Sequence, residues 1–293
     1  MTTILLFLNF SLMIVAPIIL GGFVAARLKV DWGLFGMGAA TFVLSQLFHI
    51  PFNVLVLNKW QLISVDTAVL TNLIILALFL GLSAGVFEEV ARYLTYRYWA
   101  TEARFWGQGI MLGVGHGGIE AIILGLLGYY GLMQLLMLQN NPSILATLPV
   151  GQLTLVQAQL SQMETWPWYM FLLGAVERGF ALCFHIAASL LVLQAFVRHN
   201  ILWLLAAILL HTAVDTTAVL SIQYLSQRTT TINSALGTEA FIAVYALISL
   251  GIIFWLKTPP LEDDVLDPLP EIGSVQPMDV TLSAEQLEKS KYR

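Results

Sequence analysis

Residues 69–98 read VLTNLIILALFLGLSAGVFEEVARYLTYRY. From Val69 to Phe87 no side chain carries a charge; Glu88, Glu89 and Arg92 then arrive together before the apolar and aromatic pattern resumes. A helix of about 20 apolar residues crosses a hydrocarbon core about 30 Å thick, so this stretch is long enough to span a bilayer. Ionisable groups in the middle of such a helix cost roughly 2.5–3.5 kcal/mol each, so a chain retains them only where they pair or work.

The same test selects six further stretches, placing seven helices near residues 4–26, 33–57, 69–98, 107–138, 167–197, 201–225 and 238–256. Apolar residues make up 58% of the 293-residue chain and charged residues only 11%, which excludes an ordinary water-soluble domain. The fold class expected is an all-α polytopic membrane protein with about seven transmembrane helices. The formal charge of −5 comes from residues 258–293, which hold eight acids and three bases. The rest is neutral and carries no basic footprint for nucleic acid. A lone cysteine, Cys183, rules out an internal disulfide and reads as packing. No basic residue precedes the first apolar stretch, which argues against a cleaved signal peptide.

Lys and Arg accumulate in alternate connections: Arg27 and Lys29, Arg97 and Arg104, Arg198, then Lys257 and the tail. By the positive-inside rule these segments are cytoplasmic, with the N-terminus outside. All eight tryptophans fall near helix ends, where indole rings favour the headgroup boundary. The expectation is an integral protein of a bacterial plasma membrane. Residues 1–257 form the transmembrane domain, and the proline-rich acidic segment 258–293 is a disordered cytoplasmic tail. The 139–166 connection, with Pro142, Pro149 and Gly151, reads as a loop; a helix on the outer membrane surface is the alternative. No internal repeat suggests a duplicated transporter.

About ten ionisable groups lie inside the spans: Glu88, Glu89 and Arg92; His116 and Glu120; Glu177, Arg178 and His185; His211 and Asp215. At 1.5 Å per residue from the basic ends, Glu88, His116, His185 and His211 lie roughly 14–18 Å deep, in one layer. Four helices therefore aim polar groups at a cavity between the third and sixth spans. Residues four apart share a helix face, which pairs Glu88 with Arg92, His116 with Glu120 and His211 with Asp215. Glycines around His116 (Gly113, Gly115, Gly117, Gly118) permit close helix approach. A desolvated carboxylate can take a proton from water, and imidazoles can stabilise an oxyanion, so the layer suits hydrolysis. The plainer reading is a set of structural ion pairs bridging helices, and a proton-coupled transporter or channel would also use such residues. Zinc held by His116, His185, His211 and a carboxylate is a further alternative, although no HExxH helix is present. His49, beside Pro51, reads as a local hydrogen-bonding group away from the layer, and His199 as an interface residue.

With these residues in view, positions 1–257 resemble the YhfC family of intramembrane peptidases, related to the type II CAAX prenyl-protease and bacteriocin-processing superfamily. The matching positions are Glu88, Glu89 and Arg92, then His116, His185, His211 and Asp215. The resemblance implies a metal-free glutamic protease that cuts a membrane-associated protein or peptide. Glu88 would activate water, supported by Glu89 and Arg92, while His116 and His211 would hold the oxyanion. Asp215, where the wider superfamily often has Asn, would orient His211 or the water. Glu120, Glu177 and Arg178 would stand around these. Only Val90 and Ala91 separate Glu89 from Arg92, where the superfamily usually has three residues, which leaves Glu88 and Glu89 interchangeable as the base.

Overall fold

A computed structural model of the protein describes residues 1–257; the acidic tail lies outside the described residues. Among the described residues all regular structure is helical, and seven helices are long and apolar enough to cross a membrane. The spans comprise α1 (Thr2–Leu28), α2 (Gly33–Val54, extended by a π-turn over Leu55–Lys59), α3 (Leu70–Tyr98) and α4 (Trp106–Gln139). Between them and the last three lie two shorter helices, α5 (Pro142–Leu145) and α6 (Val150–Thr165). A 3₁₀ turn (Trp168–Leu172) leads into α7 (Leu173–Val197), followed by α8 (Leu202–Ser226) and α9 (Thr231–Trp255).

Two segments differ from the sequence expectation, each for a local reason. The 139–166 connection is mostly helical rather than a loop. Pro149 sits at the N-cap of α6, where its missing N–H costs no helical bond, and nothing in the following QLTLVQAQLSQM breaks a helix. α6 buries none of its residues, and Val150 and Leu155 are exposed. The last span starts at Thr231 rather than 238 because its first turns are polar and escape a hydropathy reading. Thr230 caps it, its hydroxyl accepting from the Asn233 amide at 3.3 Å.

α7 is the axis of the bundle, with 72% of its most apolar window buried. It packs against α4, α8 and α9, while α4 also packs on α1 and α2, and α3 on α8 and α2. Small residues permit these approaches. A Cβ added at Gly113 would lie 2.6 Å from the Ile186 Cα, and one at Gly117 would lie 2.8 Å from the His185 ring. Polar groups exposed at helix ends are met by neighbouring helices. The Ala175 amide in the first turn of α7 donates to Asn9 Oδ1 on α1 at 2.8 Å. Arg104 donates to the carbonyls of Tyr96, Ala100 and Ala103, closing the end of α3. At that same end the Trp106 indole donates to the Ile253 carbonyl at 2.9 Å, joining α4 to α9.

Candidate active site

The middle of α3 turns Glu88, Glu89 and Arg92 into the bundle, where they are 6%, 0% and 0% exposed. Arg92 Nη1 grips both oxygens of Glu89, at 2.5 Å for Oε1. The sequence reading joined Arg92 to Glu88 on the four-residue rule, but the guanidinium takes the carboxylate three residues back. Its second nitrogen, Nη2, lies 3.3 Å from His185 Nδ1 on α7. His211 on α8 completes the pair, with Nδ1 2.7 Å from Glu89 Oε1.

Glu88 turns the other way. Its Oε2 lies 3.0 Å from His116 Nε2 on α4 and 3.9 Å from His211 Nε2. Its Oε1 accepts from Gln46 Nε2 on α2 at 2.9 Å. The paired glutamates are therefore not equivalent: Glu89 is enclosed in an ion pair, whereas Glu88 lines a cavity of about 100 Å³. Glu120, Arg178, His185, His211 and Asp215 also line it. The cavity involves one helix more than expected, because α9 contributes Tyr245 and Ala246.

Glu120 departs from its expected pairing with His116. It reaches across to α7, with Oε2 2.7 Å from His185 Nε2 and Oε1 2.5 Å from Arg178 Nη1. Arg178 also binds Glu177, so one guanidinium bridges two carboxylates at the cavity edge. Since Arg92 donates to Nδ1 of His185, the ring's N–H is at Nε2 and points to Glu120. Asp215, with its side chain 37% exposed, stands 3.5 Å from His211 Nε2 at the more open side. The imidazoles are close neighbours: ring centroids are 5.1 Å apart for His116 and His185, and 6.0 Å for His185 and His211.

Seven of the ten ionisable positions singled out in the sequence thus line one cavity, and Glu89, Arg92 and His116 join them through hydrogen bonds, although the pairing differs. Two polar residues escaped notice. Gln46 is neutral and gave no signal in a charge-based search. His49 was read as remote, yet its Nδ1 lies 3.2 Å from Gln46 Oε1, one residue removed from Glu88.

A metal could be held here by Glu88, His116 and His185, which offer ligand atoms within 4.8 Å of one another, all three buried. Of the expected set, two histidines and a carboxylate come together, while His211, whose Nδ1 meets Glu89, stands outside the group. Two further observations fit a cation. His116 Nδ1 is buried without a hydrogen-bond partner. The network also gathers five carboxylates (Glu88, Glu89, Glu120, Glu177, Asp215) around two guanidiniums (Arg92, Arg178), a site rich in oxygen donors.

Fold and site together define a polytopic membrane protein with a carboxylate and histidine centre buried among its helices. Residues 12–236 match the family model described as "YhfC intramembrane metalloprotease". The chain belongs to the YhfC family. It is 32% identical over 175 residues to the "Uncharacterized membrane protein YhfC" of Bacillus subtilis (strain 168), an alignment covering 59% of this chain and 67% of that protein. No solved structure matches it significantly. Family membership supports a membrane protease in the broad sense.

Proposed function

We propose that the protein is an intramembrane peptidase, metal-dependent, hydrolysing a peptide bond of a membrane-associated protein or peptide within the α3, α4, α7, α8 and α9 cavity. The observation that carries this reading is that Glu88, His116 and His185 converge from three helices beside a polar cavity. The family description points the same way and moves the preferred reading from a metal-free to a metal-dependent centre.

Glu88, His116 and His185 would hold zinc. When bound, zinc polarises a carbonyl oxygen and lowers the pKa of water. The chain's own groups do the rest. Glu120 accepts from His185 Nε2 and so fixes that ring's orientation, the usual task of a carboxylate behind a ligating histidine. With Nε2 engaged by Glu120, Nδ1, which Arg92 Nη2 approaches at 3.3 Å, is the His185 nitrogen that would be offered to the metal. Glu89 holds His211 from behind, leaving its Nε2 toward Asp215 and the cavity. Asp215, the most accessible carboxylate near His211, takes the proton from water and passes it to the leaving amine; His211, protonated on both nitrogens between Glu89 and Asp215, stabilises the oxyanion through its Nε2–H.

A metal-free second reading is favoured by the engagement of both His185 nitrogens, by Arg92 and by Glu120. There Glu88, rather than Glu89, is the base, since Glu89 is enclosed by Arg92. The test uses purified protein in lipid nanodiscs and a library of quenched-fluorescent single-span peptides. The metal reading requires cleavage lost on chelation, restored by zinc and abolished by Glu88→Gln. Cleavage that survives exhaustive chelation leaves the metal-free reading. Transport of protons without any cut product refutes both.

A further inference from the structure

The two oxygens of Glu88 have different neighbours. Oε2 faces His116 and the cavity, while Oε1 is held by Gln46, and Gln46 is itself held. Its Oε1 lies 3.2 Å from His49 Nδ1, and His49 Nε2 meets Asn53 Nδ2 at 2.9 Å and Ser83 Oγ at 3.1 Å. Positions 46, 49 and 53 are three and four residues apart, so they form one stripe on α2, and the stripe faces α3. The imidazole is stacked at 5.6 Å on Phe87, the residue before Glu88, so ring and carboxylate are set by the same turn of α3.

The order of donors follows from chemistry. The Asn53 amide N–H donates to His49 Nε2, which makes that nitrogen the acceptor and leaves the ring proton on Nδ1, while the Ser83 hydroxyl beside it donates to the Leu80 carbonyl at 3.0 Å. Nδ1 then donates to Gln46 Oε1, and this directs the Gln46 amide N–H at Glu88 Oε1. From Asn53 through His49 to Gln46, each donor points toward the carboxylate.

We propose that Gln46 and His49 are positioning residues acting through Glu88: the relay from Asn53 through His49 and Gln46 clamps Oε1 and keeps Oε2 turned into the site. The inference rests on Glu88 being a working group of the peptidase centre. Partners standing behind a ligating or reacting group typically contribute about 10–100-fold in affinity or rate. Hydrogen bonds that merely join α2 to α3 would contribute to stability instead.

The experiment uses the full chain in nanodiscs, with zinc affinity read by competition against a chelating dye and cleavage read on the same peptide library. Gln46→Leu should lower kcat by about 10–100-fold and weaken zinc binding by a similar factor, with KM nearly unchanged. His49→Phe should give a smaller loss in the same direction. The double variant should be no worse than Gln46→Leu, because His49 acts only through Gln46. Additive losses, or a Gln46→Leu protein with wild-type kcat and zinc affinity, overturn the proposal. Independently of any variant or activity, ¹⁵N shifts of labelled histidine in the wild-type protein should report His49 protonated at Nδ1; protonation at Nε2 also overturns it. Should wild type and Glu88→Gln prove equally inert, the peptidase reading fails, while the His49 tautomer still decides the relay.

Discussion

Replacing Arg92 with Met tests whether the buried ion pair organises the bundle. Arg92 and Glu89 are both fully enclosed, and Nη1 contacts both carboxylate oxygens while Nη2 reaches His185. Methionine fills much of the arginine stem's volume, so the loss is mainly electrostatic. It leaves Glu89 with His211 as its remaining close partner, an uncompensated buried charge of the kind that costs about 3–5 kcal/mol when one member of a pair is removed. At 1.36 kcal/mol per decade this is a shift of roughly two to four powers of ten in the folding equilibrium. Glu89→Gln on the Arg92→Met background removes the stranded charge and should recover most of the loss, because a neutral amide can still meet His211. Arg92→Lys should fall between, keeping a cation but losing the fork. Stability is followed by denaturation in mixed micelles of mild detergent and SDS, with helix content and tryptophan emission as paired probes. An Arg92→Met protein within about 0.5 kcal/mol of wild type, or a double variant weaker than the single, would refute the reasoning, since surface-like substitutions stay within that range.

Gly117→Ala would place a Cβ 2.8 Å from His185 Cδ2, so the imidazole must move; cleavage should fall by tenfold or more, with a stability cost of about 1–3 kcal/mol read in the same micelles. Trp106→Phe loses the indole donor to the Ile253 carbonyl, far from the cavity, and should cost about 1 kcal/mol while leaving kcat unchanged. In a Cys183→Ser background, a single cysteine at Asp66 should react with a membrane-impermeant maleimide on intact cells, and one at Thr101 only after the cells are permeabilised. Labelling of position 101 from outside would reverse the orientation inferred from the basic connections.

The seven spans were legible because length and apolarity alone decide what crosses a bilayer, and each predicted stretch coincides with a helix. The polar layer was legible for the same reason: charges are so rare here that each one announces itself. Pairing was not. A four-residue rule places side chains on one face of one helix, but it says nothing of which neighbour lies opposite. Glu120 illustrates this, since the arginine and histidine it binds are on α7, 58 and 65 residues away. Gln46 was invisible because a neutral amide in a helix carries no penalty large enough to mark it. His49 was misread because its proximity to Pro51 suggested a helix end, whereas α2 runs on through Pro51 to Val54 and its π-turn.

The double glutamate makes sense once its geometry is followed. With 3.6 residues per turn, consecutive side chains diverge by about 100° around the helix, so Glu88 and Glu89 face different neighbours and meet only across the His211 ring, 2.7 Å from Glu89 and 3.9 Å from Glu88. Glu89 faces α7 and α8 and takes Arg92 and His211; Glu88 faces α2 and α4 and takes Gln46 and His116. One carboxylate anchors the cationic side of the layer, which leaves the other free of Arg92 and open to the cavity. Their amide variants should therefore fail differently. Glu89→Gln strands a buried guanidinium and should lose several kcal/mol of stability, with activity falling as the fold loosens. Glu88→Gln keeps shape and an oxygen to accept from Gln46, so it should be about as stable as wild type while cleavage and metal binding disappear. Two variants equally stable and equally impaired would mean that the carboxylates act as an interchangeable pair, contrary to this division of labour.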